Sequence, residues 1–319
     1  YVPCGLHCLN VPKDKCGLQW WRSLLGRLML DLIGRRLGTK RARAYNRFRR
    51  KFLPECQCTP FELDCHCDLV IIGSDQVFSL PHVGAYKKLF WGIDVPVGLR
   101  KIAYAASMGE SVMPPNEMVE FRKALLSFHA VSFRESFKGY ATVADPTLLL
   151  TEHDYDKVSA TETGLRGEYV YLYSVYMSDF EVKGARDIAK AYGLQLVISP
   201  VYPDERIKNI EEVVDNLSPD LMIKYVKDST IVLAGSFHAT MLALIYKKPF
   251  LAFRQEQDAS KTRVGQTLSR LGFLERLIVP GVDIGEMLRI LKTPFSAESE
   301  RKLSDFAKES LGWLKTNII

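Results

Sequence analysis

The chain has 319 residues, 47% hydrophobic and 25% charged, a balance that excludes disordered and fibrous proteins and suffices for two buried cores. Its net charge of +6 is local: Trp20 to Lys51 holds eleven Lys or Arg against Asp31 alone, which is +10 there and −4 elsewhere. No apolar run reaches the ~18 residues that cross a bilayer and no signal-peptide pattern opens the chain, so a cytoplasmic protein is expected, although a start at Tyr1 leaves a removed segment open.

In chain order, the first pattern is the basic stretch itself. Trp20, Trp21, Leu24, Leu25, Leu28, Met29, Leu32 and Ile33 recur at helical spacing with arginines between them, which predicts an amphipathic basic helix followed by a more polar one. Such a helix packs on its own domain or docks on an anionic membrane surface. Nucleic acid is not expected as a partner, because no recognition framework surrounds the stretch. All seven cysteines fall within the first 67 residues, and Cys56-x-Cys58 and Cys65-x-Cys67 lack the two-residue gap of zinc knuckles. Reduced thiols and no metal site are the expectation.

From Asp68 the chain alternates short apolar runs with helical patterns, as a parallel sheet wrapped by helices does. Asp68–Ile72 ends in Gly73-Ser74-Asp75-Gln76, Lys101–Ala106 in Ser107, Ala130–Phe133 in Arg134-Glu135-Ser136, and Thr142–Ala144 in Asp145-Pro146. Each strand thus delivers polar residues to its C-terminal end, the edge where open α/β sheets bind ligands. After the polar stretch 151–167 a second set follows: strand 168–176, helix 180–192, strand 194–199, helix 218–227 capped by Ser218, strand 230–234 and strand 249–253. Residues 296–315 read as a terminal amphipathic helix.

Between strand 230–234 and the helical run 241–248 lies Gly235-Ser236-Phe237-His238-Ala239-Thr240. Glycine permits a sharp bend, Ser236 can cap the helix that begins there, and His238 places a titratable group at the helix N-terminus, where anions are favoured. Two Rossmann-like domains, 1–150 with a basic insertion at 20–51 and 151–319, would face each other across a cleft. The strand ends would bring Asp75, Ser107, Arg134, Glu135, Asp145, His238, Arg254 and Arg263 together there. Arginines grip carboxylate or phosphate and histidine moves protons near neutral pH, so a small anionic substrate is implied. Dinucleotide, Walker, nucleophile-elbow and zincin fingerprints are all missing from the sequence.

The ordered series Cys67 to Phe78, Lys101 to Ser107, Val131 to Ser136, Ala144 to Thr147, Gly235 to Thr240, Lys248-Pro249-Phe250 and Arg263 to Arg276 resembles the polysaccharide pyruvyl transferases. The resemblance implies an α/β, GT-B-like fold and transfer of a pyruvyl group from phosphoenolpyruvate to two hydroxyls of a sugar, with release of phosphate and no other cofactor. It implies His238 as acid or base, Arg134 on the donor's anionic groups, Ser236 assisting, and Arg254 or Arg263 as a second positive contact. Asp75, Ser107 and Glu135 complete the candidate substrate-binding set, with Asp75 divided between this role and stabilising its own loop. The acceptor would be a sugar of a polysaccharide, exopolysaccharide or lipid-linked cell-envelope precursor, met at the inner face of the membrane through Trp20–Lys51.

Three departures from the family pattern matter. Some members carry arginine directly before the histidine, where this chain has Phe237. Members begin with a strand, a turn and a helix ahead of the position of Tyr1, so the first domain is expected to lack that unit. Only residues 137–141 separate Ser136 from Thr142, too few for the usual helix. A nucleotide-sugar glycosyltransferase of the same fold and a non-catalytic glycan-binding or envelope-assembly protein are the alternatives.

Overall fold

A computed structural model describes residues 37–52, 68–110, 112–201, 205–207, 210, 212–215, 217–255 and 258–318. The seven cysteines, the expected first basic helix and any unit preceding it lie outside these residues. The described chain forms two parallel sheets with helices against them, the α/β, GT-B-like arrangement expected.

The first sheet has the order β1 (Leu69–Ile72), β2 (Arg100–Ala106), β3 (Ala130–Phe133), β4 (Ala141–Thr142), all parallel. No helix separates β3 from β4, as the short spacing predicts: residues 134–140 form a turn. Its core is aromatic, with Phe121 5.0 Å from Phe78 and 5.2 Å from Trp91 between ring centroids.

The second sheet contains β5 (Tyr169–Ser174), β6 (Gln195–Pro200), β7 (Glu212–Val213), β8 (Ile231–Gly235), β9 (Phe250–Phe253) and β10 (Leu277–Ile278), in the order β10-β9-β8-β5-β6-β7. Along β5, Tyr169 and Tyr171 enter one core while Val170 and Leu172 enter the other, so the period-two alternation covers both faces of the sheet. The chain runs outward from β5 through β6 to β7, then returns to the other side of β5 as β8. This reversal is a topological switch point, and the crevice outside the carboxyl ends of β5 and β8 is where such sheets hold ligands.

Sequence patterning differs from the structure in three places. The helix after β8 spans Phe237–Ile245: it starts directly after the expected cap Ser236, with His238 in its first turn, but ends three residues short of Lys248. Ser218 occupies the N-cap of helix Pro219–Asp228, but its side chain makes no capping hydrogen bond. The pairs β7 and β10 have no sequence signature, because two residues are too few to show alternation.

Two segments cross between the halves of the chain. The terminal helix Ala297–Ile318 returns to the first sheet: Ser310 Oγ accepts the Ala144 N–H at 2.7 Å, and Trp313 lies 5.9 Å from the Tyr104 ring. At the other end of the chain, helix Leu37–Phe52 leans on the second domain, where Arg41 donates to the Pro200 carbonyl at 2.6 Å and to Tyr173 Oη at 3.3 Å.

Candidate functional site

The second-domain wall begins where β8 ends. Ser174 on β5 lies in register with Gly235 on β8, and a Cβ at Gly235 would collide with Ser174 Oγ and Glu181 Oε1. Glycine is therefore needed there for close approach. Ser236 then caps the helix, its Oγ accepting the Ala239 N–H at 3.2 Å, so this hydroxyl is already engaged.

His238 keeps an exposed surface, yet crowding by protein atoms makes burial the first cause of its titration shift. Burial lowers its pKa; Asp145 and Asp75 oppose this, and Arg134 and Arg263 reinforce it. The imidazole is neutral at neutral pH, ready to accept a proton.

The facing wall is built on Arg134, which follows β3 and has only 4% of its surface exposed. Its Nη2 lies 2.7 Å from Asp145 Oδ2 and donates to Ser74 Oγ at 3.2 Å. Ser74 in turn donates to Asp145 at 3.0 Å, and Thr147 N–H donates to the other carboxylate oxygen at 2.9 Å. Burial would push the Asp145 pKa up; the Arg134 charge, His238 and the Thr147 hydrogen bonds outweigh it and hold the value at about 2. Arg134 Nη1 and Nε are buried with no hydrogen-bond partner. From across the cleft, the Phe237 ring lies over this guanidinium at 4.6 Å.

Arg263 brings a second positive charge from the other domain. It is the first residue of helix Arg263–Leu271, whose cap Thr262 accepts the Gly265 N–H at 3.1 Å. One oxygen of Asp75, Oδ1, lies 3.6 Å from Nη1 of both Arg263 and Arg134. Asp75 adopts a left-handed φ of 61°, and its carbonyl accepts the N–H groups of Val77 and Ser107, both at 2.8 Å. One turn along the helix, Gln266 Oε1 accepts the Ser136 N–H at 3.1 Å and closes the seam between domains.

Glu135 is buried beside this seam, with Oε1 accepting from Ser107 Oγ at 3.2 Å and from the Met108 N–H. Burial raises its pKa against the opposing effects of the Met108 N–H, Arg134, Ser107 and Arg263. Its second oxygen, Oε2, is buried without a partner.

The structure thus gathers Asp75, Arg134, Asp145, His238 and Arg263 into one electrostatic cluster, with Glu135 and Ser107 on its first-domain side. Arg254 stands at the end of β9, donating to the Phe253 carbonyl at 2.6 Å and influencing the buried Glu181. Ser74 and Gln266 belong to the site but escape sequence reasoning. Ser74 meets Asp145 across 71 residues of chain, and only the Asp145-Pro146-Thr147 turn chemistry marks the receiving end. A separate cavity of about 400 Å³, lined by Lys247, Leu291, Phe295 and Glu300 among others, lies by Pro249 near the start of β9 and away from this cluster. Among the described residues no group of three or more His, Cys, Asp or Glu is arranged to hold a metal.

Two parallel α/β domains that bring paired arginines and a histidine together beside a topological switch point define a two-domain, GT-B-like enzyme scaffold. The sequence matches the family model "Polysaccharide pyruvyl transferase" over residues 12–256, which is most of the chain. The chain belongs to the polysaccharide pyruvyl transferase family and is a transferase.

No curated protein matches the chain in sequence. It is similar in structure to the UDP-GlcNAc 2-epimerase from Methanocaldococcus jannaschii, with TM-score 0.48, 12% identity and coverage of 73% of this chain and 72% of that one. It is similar also to UDP-GlcNAc 2-epimerase from Neisseria meningitidis bound to UDP-GlcNAc, with TM-score 0.45, 11% identity and coverage of 80% and 78%. For the E. coli heptosyltransferase WaaC the TM-score is 0.36, with 11% identity and coverage of 82% and 80%.

Proposed function

We propose that the protein transfers a pyruvyl group from phosphoenolpyruvate to two hydroxyls of one sugar in a polysaccharide or lipid-linked glycan precursor, forming a ketal. The observation that carries this reading is the convergence of Arg134 and Arg263, from opposite domains, on a single Asp75 oxygen at 3.6 Å beside His238. That oxygen stands beyond normal hydrogen-bond reach of both guanidinium groups, and Arg134 is already paired with Asp145 at 2.7 Å, so Arg263 is the charge left to meet an anionic ligand.

In the reaction, the methylene carbon of the donor is protonated and an oxocarbenium-like centre develops at the adjacent carbon. One sugar hydroxyl adds, the C–O bond to phosphate breaks, and the second hydroxyl adds. Of the two hydroxyl protons, one replaces that placed on carbon and the other leaves with phosphate. His238, held neutral, serves as the base for the attacking hydroxyl. Arg263 meets the donor's anionic groups, and Arg134 supplies positive potential beneath them. No metal or organic cofactor is part of this scheme.

A lipid-linked acceptor would be met at the inner membrane face. Arg43, Arg47, Arg50 and Lys51 are exposed on helix Leu37–Phe52, and no described helix is long and apolar enough to cross a membrane. Co-sedimentation with vesicles containing phosphatidylglycerol, lost on raising salt, is expected; sedimentation insensitive to both lipid charge and salt would count against this placement.

The transfer itself is tested by incubating the protein with phosphoenolpyruvate and a panel of p-nitrophenyl glycosides and lipid-linked sugars. Phosphate release with the mass gain of one pyruvyl ketal supports the reading. Failure of wild-type protein to bind phosphoenolpyruvate or form product with any acceptor sinks it.

A further inference from the structure

Glu135 carries one carboxyl oxygen that no hydrogen bond among the described residues uses. Its Oε1 is taken by two donors, Ser107 Oγ and the Met108 N–H. Its Oε2 is buried and has no hydrogen-bond partner among the described residues. An unmade hydrogen bond on a buried carboxyl is costly, so such an atom is retained either under strain or for a ligand. When one carboxyl oxygen accepts two N–H or O–H donors, a proton on the group resides on the other oxygen. The free position is therefore the position that carries the acid hydrogen.

As an anion contact Glu135 is ill suited, since a carboxylate repels a donor that carries both carboxylate and phosphate charges. As a neutral acid it meets no such penalty. Its immediate chain neighbour is Arg134, and Arg263 from the other domain acts on it electrostatically. Both charges stabilise the carboxylate left after the proton has gone, as do the Ser107 and Met108 donors already in place. Burial favours the protonated form, and the Met108, Arg134, Ser107 and Arg263 contacts favour the carboxylate left once the proton has gone.

We infer that Glu135 is the proton donor to the methylene carbon of the enol-phosphate substrate, opposite His238 as the base; this rests on the pyruvyl-transfer reading above. Glu135 gives its Oε2 proton to carbon, converting methylene to methyl. His238 takes the proton of the first attacking hydroxyl and passes it to the departing phosphate. The second hydroxyl loses its proton to the Glu135 carboxylate as the ketal closes, which restores both groups and balances the reaction. Two groups whose surroundings push their titrations in opposite directions, one on each domain, thereby divide the acid and base work.

The test compares wild type, Glu135→Gln and Glu135→Asp on phosphoenolpyruvate and a glycoside that wild type converts. Glutamine keeps the shape and the Oε1 contacts but has no acid proton. Glu135→Gln is expected to bind phosphoenolpyruvate within a few-fold of wild type while kcat falls by about 100-fold or more, the scale of a lost general acid. In wild type kcat should fall as pH rises and the acid is lost; that alkaline limb should vanish in Glu135→Gln and move in Glu135→Asp. Far-UV circular dichroism and a thermal melt verify that each variant is folded. Retention of at least a third of the wild-type rate by Glu135→Gln, with the alkaline limb intact, overturns the inference. A raised KM with unchanged kcat also overturns it, since that pattern marks a binding role. Absence of phosphoenolpyruvate binding and transfer in wild type instead removes the underlying reading, and the two failures are thus separable.

Discussion

Phe237 of the second domain lies over the Arg134 guanidinium of the first, with Cζ 4.6 Å from the ring centroid. Both residues are almost fully buried, and Arg134 Nε and Nη1 have no hydrogen-bond partner among the described residues. The phenylalanine is no vacancy left by an arginine: the ring covers a charge already supplied from the opposite domain. A desolvated cation–π contact contributes up to about 2 kcal/mol, equivalent to about 30-fold in affinity. Phe237→Tyr should retain phosphoenolpyruvate affinity in calorimetry, and Phe237→Leu should weaken it by about 5- to 30-fold. Phe237→Arg, which sets two guanidinium groups face to face, should be weaker than either. Equal affinity in all three variants would show that the ring does not position Arg134.

Asp145 is the counter-charge that lets Arg134 be buried, with both side chains 1% exposed. Asp145→Asn leaves the guanidinium uncompensated and should lower unfolding free energy in urea by about 3–5 kcal/mol. Replacing the pair together, as Arg134→Met with Asp145→Leu, should cost less than the single change while abolishing donor binding. The same pair sets an acid limit. Because the folded pKa of Asp145 is depressed to about 2 from 3.8, its contribution is fully present above the unfolded value and is lost as pH falls through the folded one. The linkage amounts to about 2 kcal/mol. Urea midpoints should therefore drop between about pH 4 and pH 2 in wild type, and this component should be missing from Asp145→Asn.

His238 titrates below the 6.5 of a free imidazole, first because of burial and then because Arg134 and Arg263 add positive charge. The acid limb of transfer activity should consequently have its midpoint below pH 6.5. Arg263→Gln removes one repelling charge, so the His238 midpoint should move upward in an NMR titration while phosphoenolpyruvate binding weakens. A downward or absent movement would show that Arg263 does not reach the imidazole. His238→Ala should reduce kcat by about 100-fold or more, with the acid limb lost.

Much of this site can be read from one dimension. The runs ending at Asp75, Ser107, Arg134 and His238 announce themselves because an apolar strand stops abruptly at polar residues, and parallel sheets put such ends on one edge. The contacts among them do not announce themselves. Ser74 and Asp145 meet only because β1 and β4 belong to one sheet, and Arg263 reaches Asp75 only because the domains close on each other. Burial is equally silent in sequence: Arg134 has the composition of a ligand contact but lies beneath Phe237, and Ser236, suited to a substrate, is occupied by Ala239. The start of helix Phe237–Ile245 is legible from its capping serine, whereas its end at Ile245, inside an apolar run that continues toward Lys248, is not.

Gly235 links the second sheet to this chemistry by proximity. It ends β8 opposite Ser174, and Glu181 fills the remaining space, its Oε1 accepting Ser174 Oγ at 3.0 Å while Oε2 accepts the Ser178 N–H at 2.8 Å. The Glu181 carboxyl, whose pKa is raised by burial against these hydrogen bonds, has no room to retreat without abandoning the capping box of helix Asp179–Tyr192. Gly235→Ala must therefore displace either this network or the turn that carries Ser236, Phe237 and His238. Overpacking of this kind costs about 1–3 kcal/mol. If the turn yields, transfer activity should fall by more than the stability loss explains, and the His238 resonance should shift; Glu181→Gln, which spares the steric fit, should change melting temperature with little effect on that resonance. Wild-type activity and an unmoved His238 signal in folded Gly235→Ala would show that the network, not the turn bearing His238, absorbs the added methyl group.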